Sequence, residues 1–268
     1  MTNPCSLTPD TTALSPHLKF GSLSVRTFYW AIQSIYDQYK GKHSTPPESL
    51  HGQLMFREYF YFAGNFTHNF DKEAGNSLIR QIPWKNVEKD EEAQRHYEAW
   101  EQGKTGFPAI DAAMRQLQKE GWIHHLARHL VACFLTRGDL WISWQRGAKT
   151  FDRLLLDADW SLNNANWQWL SASRFFQQYF RVYSPVSFFQ KYDKEGSYIK
   201  KYCPELKNLP PNLIYTPWKA SLQDQKKYGC IIGKDYPFPI VDHDVVRPVN
   251  LQKMKQAYSA KTVEAEEE

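Results

Sequence analysis

No stretch of this chain alternates apolar and polar residues between tight hairpin turns, which argues against a sheet-built architecture. No apolar run approaches the roughly 18–20 residues that a bilayer-crossing helix needs. The first residues lack the apolar core of a secretory leader, so none is expected. Four cysteines, Cys5, Cys133, Cys203 and Cys230, are scattered without a Cys-x-x-Cys pair or metal-type spacing. They read as reduced thiols of an intracellular protein. There is no internal repeat, and the only biased segment is the acidic end, residues 263–268, expected to be a disordered tail. A net charge of +4 on 268 residues is too small to argue nucleic-acid binding from the total. Only a local patch would serve.

What the chain does have is helix periodicity and aromatic mass. Ile110, Ala113, Met114 and Leu117 keep i, i+3, i+4, i+7 spacing, and Gly121 follows as a C-terminal cap. Ile123, Leu126, Ala127, Leu130 and Phe134 repeat the pattern up to Gly138. Phe151, Leu154 and Leu155 end another helix before a turn at Asp157, while Phe28, Ile32 and Ile35 mark one near the start and Leu54 to Phe62 the next. Prolines concentrate in residues 40–50 and 204–218 and recur from Pro185 to Pro248, which reads as loops and short helices wrapped on the same body. The expected fold is one all-α domain over residues 1–262.

Four constellations could carry chemistry. Trp160-Ser-Leu-Asn-Asn-Ala-Asn-Trp-Gln-Trp169, after Asp157-Ala-Asp159, mixes amides that interrupt helices with large indoles. It suits a pocket for a flat heterocycle, or an amide-rich turn between core helices. Thr11-Thr-Ala-Leu-Ser15 before Pro16 reads as hydroxyl capping of a helix, or as a phosphate-binding helix start. His125 and His129 stand one turn apart on one helix face. That pair suits a structural role or an acid/base role, since imidazole titrates near neutrality. Zinc is disfavoured because no HExxH glutamate and no third ligand accompany it. Finally, ten tryptophans either fill a core or relay charge.

Taken in order, these segments resemble the DNA photolyase and cryptochrome family, nearest to its 6-4 photolyases and animal-type cryptochromes. The similarity runs from about Thr11 to Tyr258 and includes Gly52-Gln-Leu-Met-Phe-Arg-Glu58, Thr105-Gly-Phe-Pro-Ala-Ile-Asp111, Gly121-Trp-Ile-His-His-Leu-Ala-Arg-His129 and Phe134-Leu-Thr-Arg-Gly-Asp-Leu-Trp141. It implies the family's helical FAD-binding domain without its N-terminal α/β antenna domain. FAD would then meet Thr11, Thr12, Leu14, Ser15, Gln53, Arg57, His125, Arg128, Asp157, Asp159 and Asn163. Asp157 would pair with Arg128, Asp159 would touch the flavin, and Asn163 would face its N5, where the neutral amide is the photolyase choice.

By the same resemblance His125 is the proton donor and His129 its neighbour. Trp167, Trp144, Trp84 and Trp141 are the first to fourth members of an electron-hopping chain. Trp30, Trp100, Trp122, Trp160, Trp169 and Trp218 are left as structural. Lys19, Gln53, Phe56 and Arg181 would face damaged DNA, with Phe56 departing from the family's tryptophan. The implied function is blue-light-driven repair of pyrimidine (6-4) photoproducts. The alternatives are a cryptochrome photoreceptor and a light-independent circadian regulator working with signalling or clock proteins. Any of these implies a nuclear or cytoplasmic protein.

Overall fold

The computed structural model describes residues 3–7 and 11–264. Twelve α-helices follow one another among the described residues: α1 (Ser15–Phe20), α2 (Val25–Gln38), α3 (Leu50–Phe66), α4 (Glu91–Glu101), α5 (Pro108–Glu120), α6 (His125–Cys133), α7 (Trp144–Leu154), α8 (Trp160–Leu170), α9 (Ser187–Gln190), α10 (Ser197–Tyr202), α11 (Leu222–Tyr228) and α12 (His243–Glu264). A π-helical turn, Phe134–Gly138, continues α6. The only β pairings among the described residues are the isolated bridges Lys85–Ile142 and Ile232–Tyr236. The all-α expectation holds. No helix of the described residues is long and apolar enough to cross a membrane.

α5 shows why these residues fold this way. Pro108 opens the helix, where its missing N–H costs nothing, and Gly121 closes it at φ 66°. Its periodic residues Ile110, Ala113, Met114 and Leu117 are all fully buried. α5 packs on α4, α6 and α10, α8 packs on α3, α6 and α7, and these helices form the frame around the site. Side-chain caps fix several helix starts: Ser49 on α3, Asp90 on α4, Ser143 on α7 and Asp159 on α8. Each cap of this kind is worth about 1 kcal/mol. The four cysteines are free and buried.

Three expectations fail. The amide-rich segment is no interruption, because residues 160–170 form helix α8. Asn164 and Asn166 turn their amides onto the carbonyls of Trp160 and Leu162, at 2.9 and 2.7 Å, so they bond within the helix instead of breaking it. Residues 243–264 are one long helix, not loops and short helices, and Pro248 lies inside it. The ring removes a single hydrogen bond in the second turn. Packing offsets that loss: Met254 is fully buried, Asn250 donates to the Gly138 and Asp139 carbonyls, and Tyr258 donates to the Ala172 carbonyl at 2.7 Å. α12 also runs through Val263 and Glu264, the first residues of the expected tail; residues 265–268 lie outside the described residues. Lastly, the Thr11–Ser15 hydroxyls do not cap α1, whose N-cap is Leu14 with no side-chain cap bond.

Candidate cofactor site

α3, α6 and α8, the turn before α8 and the segment leading into α1 enclose a cavity of about 890 Å³. That lies in the upper part of the roughly 300–1,000 Å³ range of small-molecule and cofactor pockets. Thr11, Thr12, Leu14, Ser15, Gln53, Phe56, Arg57, His125, Arg128, His129, Asp157, Asp159, Asn163 and Trp167 all line it. Residues far apart in sequence are thus brought together as expected. Trp144 is fully buried and does not line it, Trp84 and Trp141 pack together outside the lining, and Lys19 and Arg181 are exposed outside it.

The polar side of the cavity is tightly organised. Arg128 forks onto Asp157, Nη1 to Oδ1 at 3.1 Å and Nη2 to Oδ2 at 2.8 Å, and its Nε donates to the Ile123 carbonyl. The Asp157 side chain is only 4% exposed, so the fork satisfies a carboxylate that water scarcely reaches. Asn163 donates its amide N–H to the Ala148 carbonyl at 2.9 Å, which leaves its own carbonyl as the free end. Asp159 uses Oδ1 to accept from the Leu162 N–H at 3.0 Å and Oδ2 to accept from the Tyr61 hydroxyl. Both Asp159 oxygens are therefore already engaged. Direct contact with a cofactor would use their remaining lone pairs or displace Tyr61. Burial and the Asp159 carboxylate push the Tyr61 phenol up to about 12.

The histidines stand edge to face, ring centres 5.9 Å apart. His129 Nδ1 lies 3.2 Å from the Tyr183 hydroxyl. Burial, then the His125 and Arg137 charges, lowers its pKa to about 4. Burial and Arg128 lower His125 as well. Both imidazoles are thus shifted below their ordinary range, because burial and the neighbouring positive charges disfavour a further one in the ligand-free site.

The indoles are held by close packing. Trp167 lies against α7 at Gly147, where a Cβ would come within 2.0 Å of its ring. The glycine is what lets that indole approach the helix so closely. Trp84 and Trp141 have ring centres 4.7 Å apart.

Sequence reasoning missed several contributors. Tyr61 stands one turn after Arg57 on α3, a spacing that could have flagged it, and the Arg57 guanidinium lies 4.5 Å over its ring. Trp122, left as structural, lines the cavity and reaches the Ser15 hydroxyl at 3.4 Å. Trp100 meets Trp167 edge to face at 6.2 Å, a contact without any local signal. Trp30 and Trp160 are 67% and 49% exposed and fill no core.

The donor set suits FAD. Three neutral amides, two acidic residues and two arginines border a slot that Trp167 and Phe151 also line. The Thr11 hydroxyl, buried without a partner, adds an unused polar group at one end. Fold and cavity together define a helical domain built around a large, partly polar heterocyclic cofactor.

The family described as the FAD binding domain of DNA photolyase matches residues 49–256. A (6-4) DNA photolyase of Oryza sativa subsp. japonica is 54% identical over 254 residues, 95% of this chain and 45% of that protein. Cryptochrome-2 of Gallus gallus is 53% identical over 256 residues, 96% of this chain and 43% of that protein. Among solved structures, a class III photolyase from Agrobacterium tumefaciens superposes with a TM-score of 0.81 at 32% identity, covering 96% of this chain and 51% of that one. The chain belongs to the FAD-binding domain family of photolyases and cryptochromes, and FAD is its cofactor. It spans less than half the length of these two curated relatives.

Proposed function

We propose that this domain serves blue-light-driven repair of pyrimidine (6-4) photoproducts in DNA. The observation that carries the reading is the pair His125 and His129, set edge to face in the wall of the cavity that also holds Asn163 and Gln53. When bound, reduced and excited, FAD supplies an electron to the lesion. Arg57, Arg128, Asp157, Asp159, Asn163 and the Thr11–Ser15 segment hold the cofactor. The chain's own contribution is position and a proton. His125 is the more exposed of the two histidines and donates that proton, its protonated form favoured once the negative charge of DNA phosphates is bound beside it; His129 stays neutral and orients it through the ring contact. Phe56, 38% exposed and edge-on to Trp169 at 5.9 Å, offers the lesion an apolar face smaller than an indole. Lys19 and Arg181 are exposed and free to meet phosphates or the gap left by a flipped base.

The test is photorepair of a 6-4-containing oligonucleotide by the reduced, FAD-loaded protein. General acid catalysis is worth roughly 10²–10⁴-fold, so His125→Asn should lose that much repair with FAD and DNA binding intact. Wild-type protein that binds both and repairs nothing overturns the reading.

A second reading is a cryptochrome photoreceptor or circadian regulator acting on signalling or clock proteins. The near-equal identity to the chicken cryptochrome and the loss of an indole at Phe56 favour it. Light-dependent partner binding, abolished by Trp167→Phe, would support it over repair. Either role leads us to expect a nuclear protein.

A further inference from the structure

Two acid–arginine sets border the cavity, and they are wired differently. Arg128 and Asp157 meet directly, in a fork that spends each group on the other. Arg57 and Asp159 also line the cavity, yet Arg57 pairs with the exposed Glu58 and not with Asp159. Tyr61 stands between them. Its ring lies 4.5 Å under the Arg57 guanidinium. Its hydroxyl accepts from Arg57 Nη2 at 3.4 Å and donates to Asp159 Oδ2. The other carboxylate oxygen, Oδ1, accepts from the Leu162 N–H and caps α8.

The packing of two helices puts the phenol there. Gly64, buried on α3, lies so close to α8 that a Cβ on it would come within 2.6 Å of Ser161 Oγ. Tyr61 is three residues earlier on the same face of α3, so this approach carries its hydroxyl to the first turn of α8. Burial, then the bond to Asp159 and its charge, pushes the phenol up to about 12, and it remains a donor at ordinary pH. The bonds from Arg57 to Tyr61 and from Tyr61 to Asp159 run in one direction, and each polarises the next. A direct ion pair would have let the two charged groups consume one another, as they do at Arg128. With a phenol between them, Arg57 keeps further N–H donors and Asp159 keeps further lone pairs, at a separation the ring fixes.

We propose that Tyr61 is a positioning residue for the cofactor: it holds the Arg57 guanidinium and the Asp159 carboxylate apart and oriented, so that a donor and an acceptor meet the FAD at a set spacing. FAD carries both kinds of partner, hydroxyl and ring N–H donors and anionic phosphate oxygens. Tyr61 itself lies behind the lining and acts through these two residues. The inference rests on the cofactor site and not on the repair reading, so a protein that binds FAD and repairs nothing leaves it standing.

The test is the affinity of the folded, flavin-free protein for FAD, titrated in three variants. Tyr61→Phe keeps the ring under Arg57 and removes only the hydroxyl. It should weaken FAD roughly tenfold, the low end of what a hydrogen bond to a charged group carries. Asp159→Ser keeps a hydroxyl cap for the Leu162 N–H but is too short to reach the phenol. On that background Tyr61→Phe should cost no further affinity, whereas a merely structural tyrosine would cost the same on both. Unchanged or tighter binding by Tyr61→Phe, or an equal loss on the Asp159→Ser background, overturns the proposal.

A second measurement needs no Tyr61→Phe protein that folds. Infrared spectroscopy with ring-deuterated tyrosine isolates the phenol C–O stretch, and the Tyr61 band is assigned by its shift in Asp159→Ser. In wild-type protein that band should keep its hydrogen-bonded position when FAD is added, because the tyrosine stays on Asp159 while the cofactor binds. A shift to the position of a free phenol on FAD uptake would make Tyr61 a group the cofactor displaces, and the proposal would fail.

Discussion

The cavity wall built from α6, α7 and α8 and the wall built from α1 and α3 are made differently. On the first, Arg128, Asp157, Asn163 and Trp167 are each fixed by a partner or a tight packing contact. On the second, α3 buries Leu54, Phe60, Ala63 and Gly64 and packs on α8, but α1 buries no residue at all. α2, which packs on α3, buries only Ile32. One wall is preorganised by the fold itself, so the geometry it offers a cofactor is already set. On the other, α1 is held by little buried area, and local opening should be cheapest there.

Substitutions can break that contrast. Arg128→Leu strands the Asp157 carboxylate, 4% exposed, without its cation. Removing one partner of a buried pair costs about 3–5 kcal/mol. Arg57→Leu, on the other wall, loses an ion pair whose partner Glu58 is 58% exposed, and should cost under about 1 kcal/mol. Urea unfolding of the flavin-free protein measures both. Equal losses would mean that the two walls are equally coupled to the fold.

Next in size is Gly147→Ala. The added methyl would meet the Trp167 ring at 2.0 Å, with the ring buried and unable to swing outward. Overpacking of this kind costs roughly 1–3 kcal/mol. Trp167 also lines the cofactor cavity, so on the reading in which the indoles carry electrons, light-driven flavin reduction should slow as well. A variant that is destabilised yet reduces flavin at the wild-type rate would uncouple the indole path from this packing.

Acid sharpens the comparison further. Folding lowers His129 from 6.5 to about 4, so its contribution to stability is full above about pH 6.5 and is lost as pH falls toward 4. Burial raises Asp139 from 3.8 to about 6, with His243 and Arg247 pulling the other way. Its contribution is full below about pH 4 and is lost as pH rises through 6. The two oppose one another in the same window, and the flavin-free wild type should change little between pH 4.5 and 6.5. Asp139→Asn removes one side, and stability should then fall by an amount on the order of 2 kcal/mol as pH drops across that window. His129→Gln should reverse the sign of the slope. Parallel profiles for both variants would contradict the assignment.

Much of the tight wall was legible because its groups lie in short, ordered segments. The Asp157–Asn163 cluster and the His125–His129 turn are local patterns, and helix spacing already placed their faces. The parts that were not legible depend on contacts between distant segments. No neighbour of Trp100 in sequence says that it meets Trp167, and nothing near Gly147 says that an indole will lie on it. The α8 asparagines looked like helix breakers because only the fold shows which carbonyls their amides find. Pro248 misled in the same way, since the packing that carries α12 past it comes from Gly138, Asp139 and Ala172.

The smallest effect belongs to the loose wall. Lys19 sits on α1, exposed, with its ammonium 4.4 Å over the Phe20 ring and no carboxylate partner among the described residues. Lys19→Ala should change stability by less than about 0.5 kcal/mol, as a surface substitution without a buried contact does. If this face meets DNA, one phosphate contact is lost, and the slope of log affinity against log salt should shrink by about one unit. That loss should be the same for damaged and undamaged duplex, because a phosphate carries no information about the base. Arg181 should behave otherwise. Its carbonyl is held by the buried Arg137 guanidinium at 2.8 Å, so its backbone is fixed while its side chain stays exposed. A fixed base with a free arm can reach one defined gap, and if the domain binds damaged DNA as proposed, Arg181→Ala should mainly erase the preference for damaged duplex. Filter binding of both duplexes across a salt series separates the two residues. Equal loss on both duplexes for Arg181→Ala would return it to simple phosphate contact.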